Sequence, residues 1–156
     1  MKVGFANGCF DLFHQGHRHF LTQCRLHCGY LIVAVNSDES IRDRLKKGPD
    51  RPHDPLWTRM MYVRAFAEAV IPFDGYEEGL LVHIKPAVFF RGYDHGSHHT
   101  PDRGHYTQGS AQVAKGIGCD IVHIGHLEGF STTLAAAGGE RNAPKRDAQH
   151  RPPGQS

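Results

Sequence analysis

The sequence predicts an α/β protein in which a five-stranded parallel sheet carries helices on both faces, the doubly wound arrangement. Short apolar runs alternate along the chain with segments whose apolar residues recur at helical spacing. One run, YLIVAV at residues 30–35, is apolar throughout, as expected for a strand that is covered on both faces. The chain of 156 residues is also long enough to bury a core, and we expect one domain over residues 1–137.

The first predicted strand, residues 2–6, leads through the turn residues Asn7 and Gly8 into a helix. The helix is expected to begin near Gly16 and to end before Gly29, because glycine is common just past helix ends. Its apolar residues recur at helical spacing and should face the sheet: Phe20, Leu21, Cys24 and Cys28.

Residues 30–35 form the second predicted strand. The polar residues after it favour a turn or a helix cap: Asn36, Ser37 and Asp38. The stretch KKGPDRPHDP, residues 46–55, is rich in proline, glycine and charge, which is typical of a loop. A helix with an apolar face is then expected over residues 56–69.

The rest of the chain repeats the alternation as far as residue 137. Strands are predicted at residues 70–73, 87–90 and 120–124, and helices at 76–84, 110–115 and 131–137. Residues 91–108 are polar and carry four histidines, so they predict a long and functional loop. Residues 138–156 are rich in glycine, proline and charge without apolar periodicity, and we expect a disordered tail.

Composition narrows the classes of function. The chain has 18 Lys plus Arg against 16 Asp plus Glu, a near balance that gives no electrostatic case for binding nucleic acid. No apolar run approaches the ~20 residues needed to span a membrane, and no signal peptide is recognisable, so we expect a cytoplasmic protein without a membrane partner. The four cysteines form no CxxC pair and are expected to be reduced thiols.

Polar clusters follow several of the predicted strands, at residues 7–17, 36–38, 91–94 and 125–133. In an open α/β sheet, ligands bind at the carboxyl ends of the strands. These clusters should therefore converge on one site.

His14 and His17 give the first cluster its chemistry. They lie three residues apart at the start of a helix, where both rings can face one ligand. Gly16 lets a phosphate approach the backbone, and the N–H groups and dipole of a helix start favour anions. The arrangement suits a phosphate whose charge grows during a reaction, although two surface histidines at a helix start would give the same pattern.

The stretch GCFDLFHQGH, residues 8–17, resembles the HxGH motif of the nucleotidyltransferase superfamily that includes the cytidylyltransferases. Further family motifs follow in order: VNSD at 35–38, KKGPDRP at 46–52, Arg59–Met60, FFRGYD at 89–94 and GFSTT at 129–133. The resemblance covers residues 2–134. It is strongest to the adenylyltransferase domain of ADP-heptose synthase, with glycerol-3-phosphate cytidylyltransferase a near neighbour.

The resemblance implies a Rossmann-like fold and the transfer of a nucleoside monophosphate from ATP or CTP to a sugar phosphate or polyol phosphate. Pyrophosphate leaves, Mg²⁺ accompanies the triphosphate, and relatives suggest a homodimer. It implies that His14 and His17 stabilise the transition state. It also implies that a lysine neutralises phosphate charge; Lys46 or Lys47 fits, and we choose Lys47, next to Gly48.

The resemblance also implies which residues contact each substrate. Nucleotide contacts are expected from Asn7, Gly8, Cys9, Phe10, Gly16, Arg91, Gly92, Asp94, Gly129, Ser131, Thr132 and Thr133. Acceptor contacts are expected from Asp11, Asp38, Lys46 and Arg59. Three of these assignments have plainer alternatives: a helix cap for residues 131–133, a helix cap for Asp38, and a solvated helix face for Arg59.

Two other functions fit parts of the sequence. A basic residue often follows STT within its helix in the family, whereas LAAAGG follows here, and this shortened final helix makes a nucleotide-binding module without turnover one alternative. A metal protein is another, built on His95, His98, His99 and His105, although their spacing fixes no coordination geometry and we expect no protein-held metal. A heptose-type enzyme of this length is expected to have its sugar kinase on a separate protein.

Overall fold

The computed structural model describes residues 1–45, 47–93 and 108–125. The strands are β1 (Val3–Gly8), β2 (Tyr30–Asn36), β3 (Ala69–Phe73), β4 (Val88–Tyr93) and β5 (Asp120–Gly125). The helices are α1 (Gln15–Leu26), α2 (Leu56–Arg64), α3 (Glu78–Ile84) and α4 (Gln108–Gly116), and a short π-helix covers Ser40–Arg44.

The five strands form one parallel sheet in the order β3-β2-β1-β4-β5. The chain builds outward from β1 to β3 and then returns to the other side of β1, so the strand order reverses between β1 and β4. Such a reversal leaves a crevice at the carboxyl ends of the two central strands, which is where doubly wound proteins bind ligands. The predicted fold class is confirmed.

Two cores lie on opposite faces of the sheet. Leu21 and Cys24 of α1 and Val63 of α2 pack on one face, while Leu81 of α3 and Ala114 of α4 pack on the other. Consecutive strand residues alternate between the two cores, as the pleat requires. Both faces are therefore covered, and the crevice lies at the rim of the sheet rather than in its core.

Several element boundaries differ from the predicted ones, among them those of α1, α2 and β4. Helix α1 ends at Leu26, two residues before the predicted end. Helix α2 ends at Arg64 rather than at residue 69, because Glu68 pairs with the neighbouring strand: its backbone N–H donates to the Leu31 carbonyl (3.1 Å), and its carboxylate accepts from the Leu31 N–H (2.6 Å). Strand β4 continues to Tyr93, into the predicted loop, because β5 pairs with it over that length.

The π-helix has no counterpart in the sequence prediction. Its start is capped by Ser37, whose hydroxyl accepts from the Ser40 N–H (3.0 Å), and the Leu45 N–H donates to the Ser40 carbonyl (3.0 Å). Asp38, a candidate cap, does not cap it. The predicted helix at 131–137 and the tail at 138–156 lie outside the described residues.

Within the described part of the chain, no helix is long and apolar enough to cross a membrane.

All four cysteines are free thiols, with Cys24 and Cys119 buried and Cys9 and Cys28 partly buried.

Candidate active site

The two histidines of the HxGH motif cap helix α1 together. His14 is the N-cap residue, and its Nδ1 accepts a hydrogen bond from the Gly16 N–H (3.0 Å). In return, Nδ1 of His17 accepts from the His14 N–H (3.3 Å). The rings stack with centroids 3.7 Å apart, and His14 is only 5% exposed, so the pair is not two surface histidines. The structure brings together the residues that the spacing predicted.

This cap determines where the neutral rings carry their hydrogen. Because Nδ1 of both His14 and His17 accepts from a backbone N–H, the hydrogen of each neutral imidazole lies on Nε2. Both rings are therefore hydrogen-bond donors at Nε2. A pair of N–H donors at a helix start is suited to stabilise negative charge on phosphate oxygens.

Aromatic side chains hold the His17 ring in place. Phe10 meets it edge-on and Phe13 at a tilt, each with a centroid distance of 5.4 Å. Tyr62 of α2 stacks on the Phe13 ring, with centroids 5.5 Å apart and planes 9° apart. Helix α2 thus supports the orientation of the histidine pair through Phe13.

The loop between β1 and α1 has an unusual backbone. Phe10 and Leu12 both adopt the left-handed region, with φ of 53° and 47°, although neither is glycine. Such conformations are costly for bulky residues and persist only where neighbouring contacts hold them. Both side chains are buried, and two polar networks on either side of Phe10 supply further contacts.

Asp11 forms the first network. Its fully buried carboxylate accepts from the N–H groups of Leu12 (3.0 Å), His53 (2.9 Å) and Asp54 (2.9 Å) and from Nε of Arg51 (2.8 Å). Burial alone would raise the pKa of Asp11, but these donors outweigh it and lower the pKa below its ordinary value. The predicted acceptor contact of Asp11 differs from this arrangement, since the carboxylate binds the loop at residues 51–54.

Arg59 forms the second network and is fully buried. Its Nη1 donates to the carbonyls of Cys9 and Asn36 (both 2.7 Å), Nε donates to the Asp54 carbonyl (2.9 Å), and Nη2 pairs with Asp38 (2.6 Å). The sequence predicted either an acceptor contact or a solvated helix face for Arg59, and the structure differs from both. The side chain is buried, and its guanidinium binds groups of the protein itself. Asp38, 35% exposed, serves as its counter-ion rather than as a cap.

Positive charge gathers at the end of β1. Burial raises the pKa of the Cys9 thiol, while the nearby charges of Lys47, Arg59 and Arg51 act to lower it, and Asp11 acts to raise it. Lys47 itself is exposed. Because Arg51 is paired with Asp11 and Arg59 with Asp38, Lys47 supplies the net positive charge of this group of described residues.

The remaining nucleotide candidates near β1 lie at the same rim. Asn7 and Gly8 end the strand beside Ala34 and Val35 of β2. The Cys9 thiol donates to Oδ1 of Asn36 at 3.9 Å. A Cβ added at Gly8 would lie 3.0 Å from the Phe10 ring, so the ring would have to shift by a few tenths of an ångström to admit a larger residue.

Arg91 lies on β4 and belongs to a buried network that the sequence did not predict. Its Nη1 is 3.3 Å from Oε1 of Glu77, and its guanidinium lies over the Phe89 ring at 5.0 Å. The Ser110 hydroxyl donates to the same Glu77 oxygen (2.6 Å). Gly92 follows Arg91 and is exposed. Glu77 lies in the predicted helix 76–84, where no local pattern marks it, and its partners come from β4 and α4.

Several predicted site residues lie outside the described part of the chain: Lys46, Asp94, Gly129, Ser131, Thr132 and Thr133. The four loop histidines of the metal hypothesis also lie outside it. Among the residues that the structure does describe, no group of three or more His, Cys, Asp or Glu side chains is placed to hold a metal ion.

Comparison with known proteins adds to this geometry. Residues 5–96 match the model of the cytidylyltransferase-like family. The bifunctional protein HldE of Pseudomonas syringae pv. tomato is 38% identical over 135 residues, and that of Bradyrhizobium diazoefficiens is 39% identical over 137. Each match covers 85% of this chain and 26% of the relative, so the chain spans about a quarter of the length of these relatives.

A solved structure confirms the fold. The lipopolysaccharide core biosynthesis protein from Thermoplasma volcanium superposes with a TM-score of 0.65 at 23% identity, over 82% of this chain and 99% of that one. More than half of the present sequence matches the family model. The chain therefore belongs to the cytidylyltransferase-like family.

Proposed function

We propose that this protein is a nucleotidyltransferase, which transfers a nucleoside monophosphate from ATP or CTP to the phosphate of a sugar phosphate or polyol phosphate. The observation that carries the proposal is the reciprocal cap, which makes His14 and His17 a fixed pair of Nε2 donors at a helix start. The pair lies beside the crevice of the sheet, near the positive charge of Lys47.

In the proposed reaction, an oxygen of the acceptor phosphate attacks the α-phosphorus of the triphosphate. The bond from that phosphorus to the bridging oxygen breaks, and its electron pair leaves with pyrophosphate. Negative charge on the α-phosphate oxygens is greatest in the transition state, where the Nε2–H groups of His14 and His17 stabilise it. Lys47 offsets the charge of the phosphates, and no covalent enzyme intermediate forms.

Mg²⁺ is proposed as part of the nucleotide substrate rather than as a resident ion. Two carboxylates near the histidine loop are engaged within the protein: Asp11 with the loop at 51–54, and Asp38 with Arg59. These engaged carboxylates favour a Mg²⁺ ion that is held by the oxygens of the triphosphate. The ion would neutralise phosphate charge there.

We further propose an ADP-heptose-type reaction with ATP, because the strongest motif resemblance is to ADP-heptose synthase. A glycerol-3-phosphate-type cytidylyltransferase is the alternative.

A cytoplasmic location and a homodimer complete the proposal. The homodimer is supported by Trp57 and Met61, one turn apart on α2 and each 65% exposed, and light scattering tests it.

The test is pyrophosphate release with ATP or CTP against a panel of phosphorylated sugars and polyols. Release with one acceptor supports the proposal. Triphosphate binding without release on any acceptor supports the nucleotide-binding module instead.

His17→Ala tests the assigned chemistry, with His19→Ala on the same helix as the matched control. We expect kcat to fall about 100-fold with a much smaller change in triphosphate affinity, because the contact strengthens in the transition state. Equal losses in both quantities would contradict the role given to His17. The control should retain wild-type kcat.

A further inference from the structure

Arg59 has the largest fully buried side chain in the described part of the protein, although it lies on a helix that packs against the apolar core. Burying a guanidinium is costly, and a well-packed apolar residue at such a position often stabilises a protein as well or better. Stability alone therefore does not explain an arginine here, and its hydrogen bonds show what it holds.

The guanidinium joins three segments of the candidate site. It binds the Cys9 carbonyl at the end of β1, the Asn36 carbonyl at the end of β2, and the Asp54 carbonyl in the loop before α2. These partners lie 50, 23 and 5 residues away along the chain. The planar fork of arginine can reach all three at once, which a lysine ammonium cannot do.

The bond to Cys9 acts where the backbone is strained. Its carbonyl belongs to the peptide that leads into Phe10, the first of the two left-handed residues. The carboxylate of Asp11 holds the chain directly after Phe10. Arg59 thus fixes one end of the strained turn that delivers the chain to the capping histidines.

The bond to Asp54 acts on the other side of the site. Residues 51–54 follow Lys47 after a short turn, and Asp11 binds the same stretch. The segment that carries Lys47 is therefore anchored to the segment that carries the histidines, and Arg59 is one of the two anchors.

We propose that Arg59 is a positioning residue that sets the placement of the histidine pair and its spacing from the Lys47 loop. The proposal deepens the proposed function and rests on it for the kinetic effect. Its structural part, the orientation of the two imidazoles, is measurable without any substrate.

The test compares Arg59→Lys and Arg59→Gln with Arg64→Met, an exposed arginine on the same helix whose bond is to the Glu68 carbonyl. Imidazole ¹⁵N NMR reports the tautomer of each ring. In the wild type, His14 and His17 should show hydrogen on Nε2 only. In the Arg59 variants, we expect mixed tautomers at both rings and a kcat about 10- to 100-fold lower, as follows from misplacement of catalytic groups. Arg64→Met should leave both readouts unchanged.

Each outcome is decisive. Wild-type imidazole signals in folded Arg59 variants would overturn the proposal, and so would loss of the fold in both variants, because it would assign Arg59 to stability alone. If the wild-type protein turns over no acceptor, the proposed function fails. The NMR comparison still decides whether Arg59 positions the histidines.

Discussion

Replacing His14 with asparagine should separate the helix cap that this residue forms from the catalytic role proposed for it. Oδ1 of asparagine can occupy the place of Nδ1 and accept from the Gly16 N–H, and asparagine is among the best N-cap residues. It has no group at the position of Nε2. We therefore expect His14→Asn to keep the helix cap and to lose the donor that faces the reacting phosphate.

The expected magnitudes differ for the two tasks. Alanine at His14 loses the 3.0 Å capping bond, which costs about 1 kcal/mol and lowers Tm by roughly 2–4 °C in a protein of this size. Asparagine should stay within about 0.5 kcal/mol of the wild type. Loss of one transition-state donor lowers kcat by about 10²–10³ in either variant.

Urea unfolding and pyrophosphate release, measured on His14→Asn, His14→Ala and the wild type, decide the matter. His14→Asn should resemble the wild type in stability and His14→Ala in activity. If asparagine destabilises as much as alanine, the cap is not made by Nδ1. If asparagine retains wild-type kcat, His14 is not a donor to the transition state.

Two further predictions concern the buried networks. The pKa of Asp11 in the folded protein lies below its ordinary value of 3.8. The ionised carboxylate therefore contributes its full stabilisation of the fold above pH 3.8, and this contribution is lost as the pH falls through the pKa of the folded state. Asp11→Asn should therefore cost about 3 kcal/mol at pH 7 and flatten the acid dependence of urea unfolding; an unchanged acid dependence would refute this. Glu77→Gln removes the charge facing Arg91 but keeps an oxygen for Ser110, and should cost about 2 kcal/mol in the same assay; an unchanged midpoint would show that the ion pair adds no stability.

The strands were predictable because their signal is local. The apolar run at residues 30–35 differs by one residue from the observed Tyr30–Asn36. Helix ends were harder to predict where contacts with distant residues determine them. Nothing near Arg64 signals the end of α2, because the cause is the pairing of Glu68 with Leu31, 37 residues away.

The same distinction between local and distant contacts applies to the candidate site. The spacing of His14 and His17 at a helix start was enough to predict that their rings lie together. The resemblance assigns Arg59 to the acceptor, whereas in the structure the guanidinium binds Asp38 and three backbone carbonyls, which no side-chain pattern encodes. Glu77 was missed for a similar reason, since both of its partners come from later elements.

The reversal of strand order beside β1 has a consequence for how this protein can change. The crevice exists because the connections after β1 and after β4 leave over opposite faces, so no core side chain has to be removed to make room for a ligand. Segments after the strands can then be exchanged to suit a new acceptor while both cores stay packed. Substrate range and folding stability are thus open to separate adjustment, which makes the rim segments the natural place to engineer specificity.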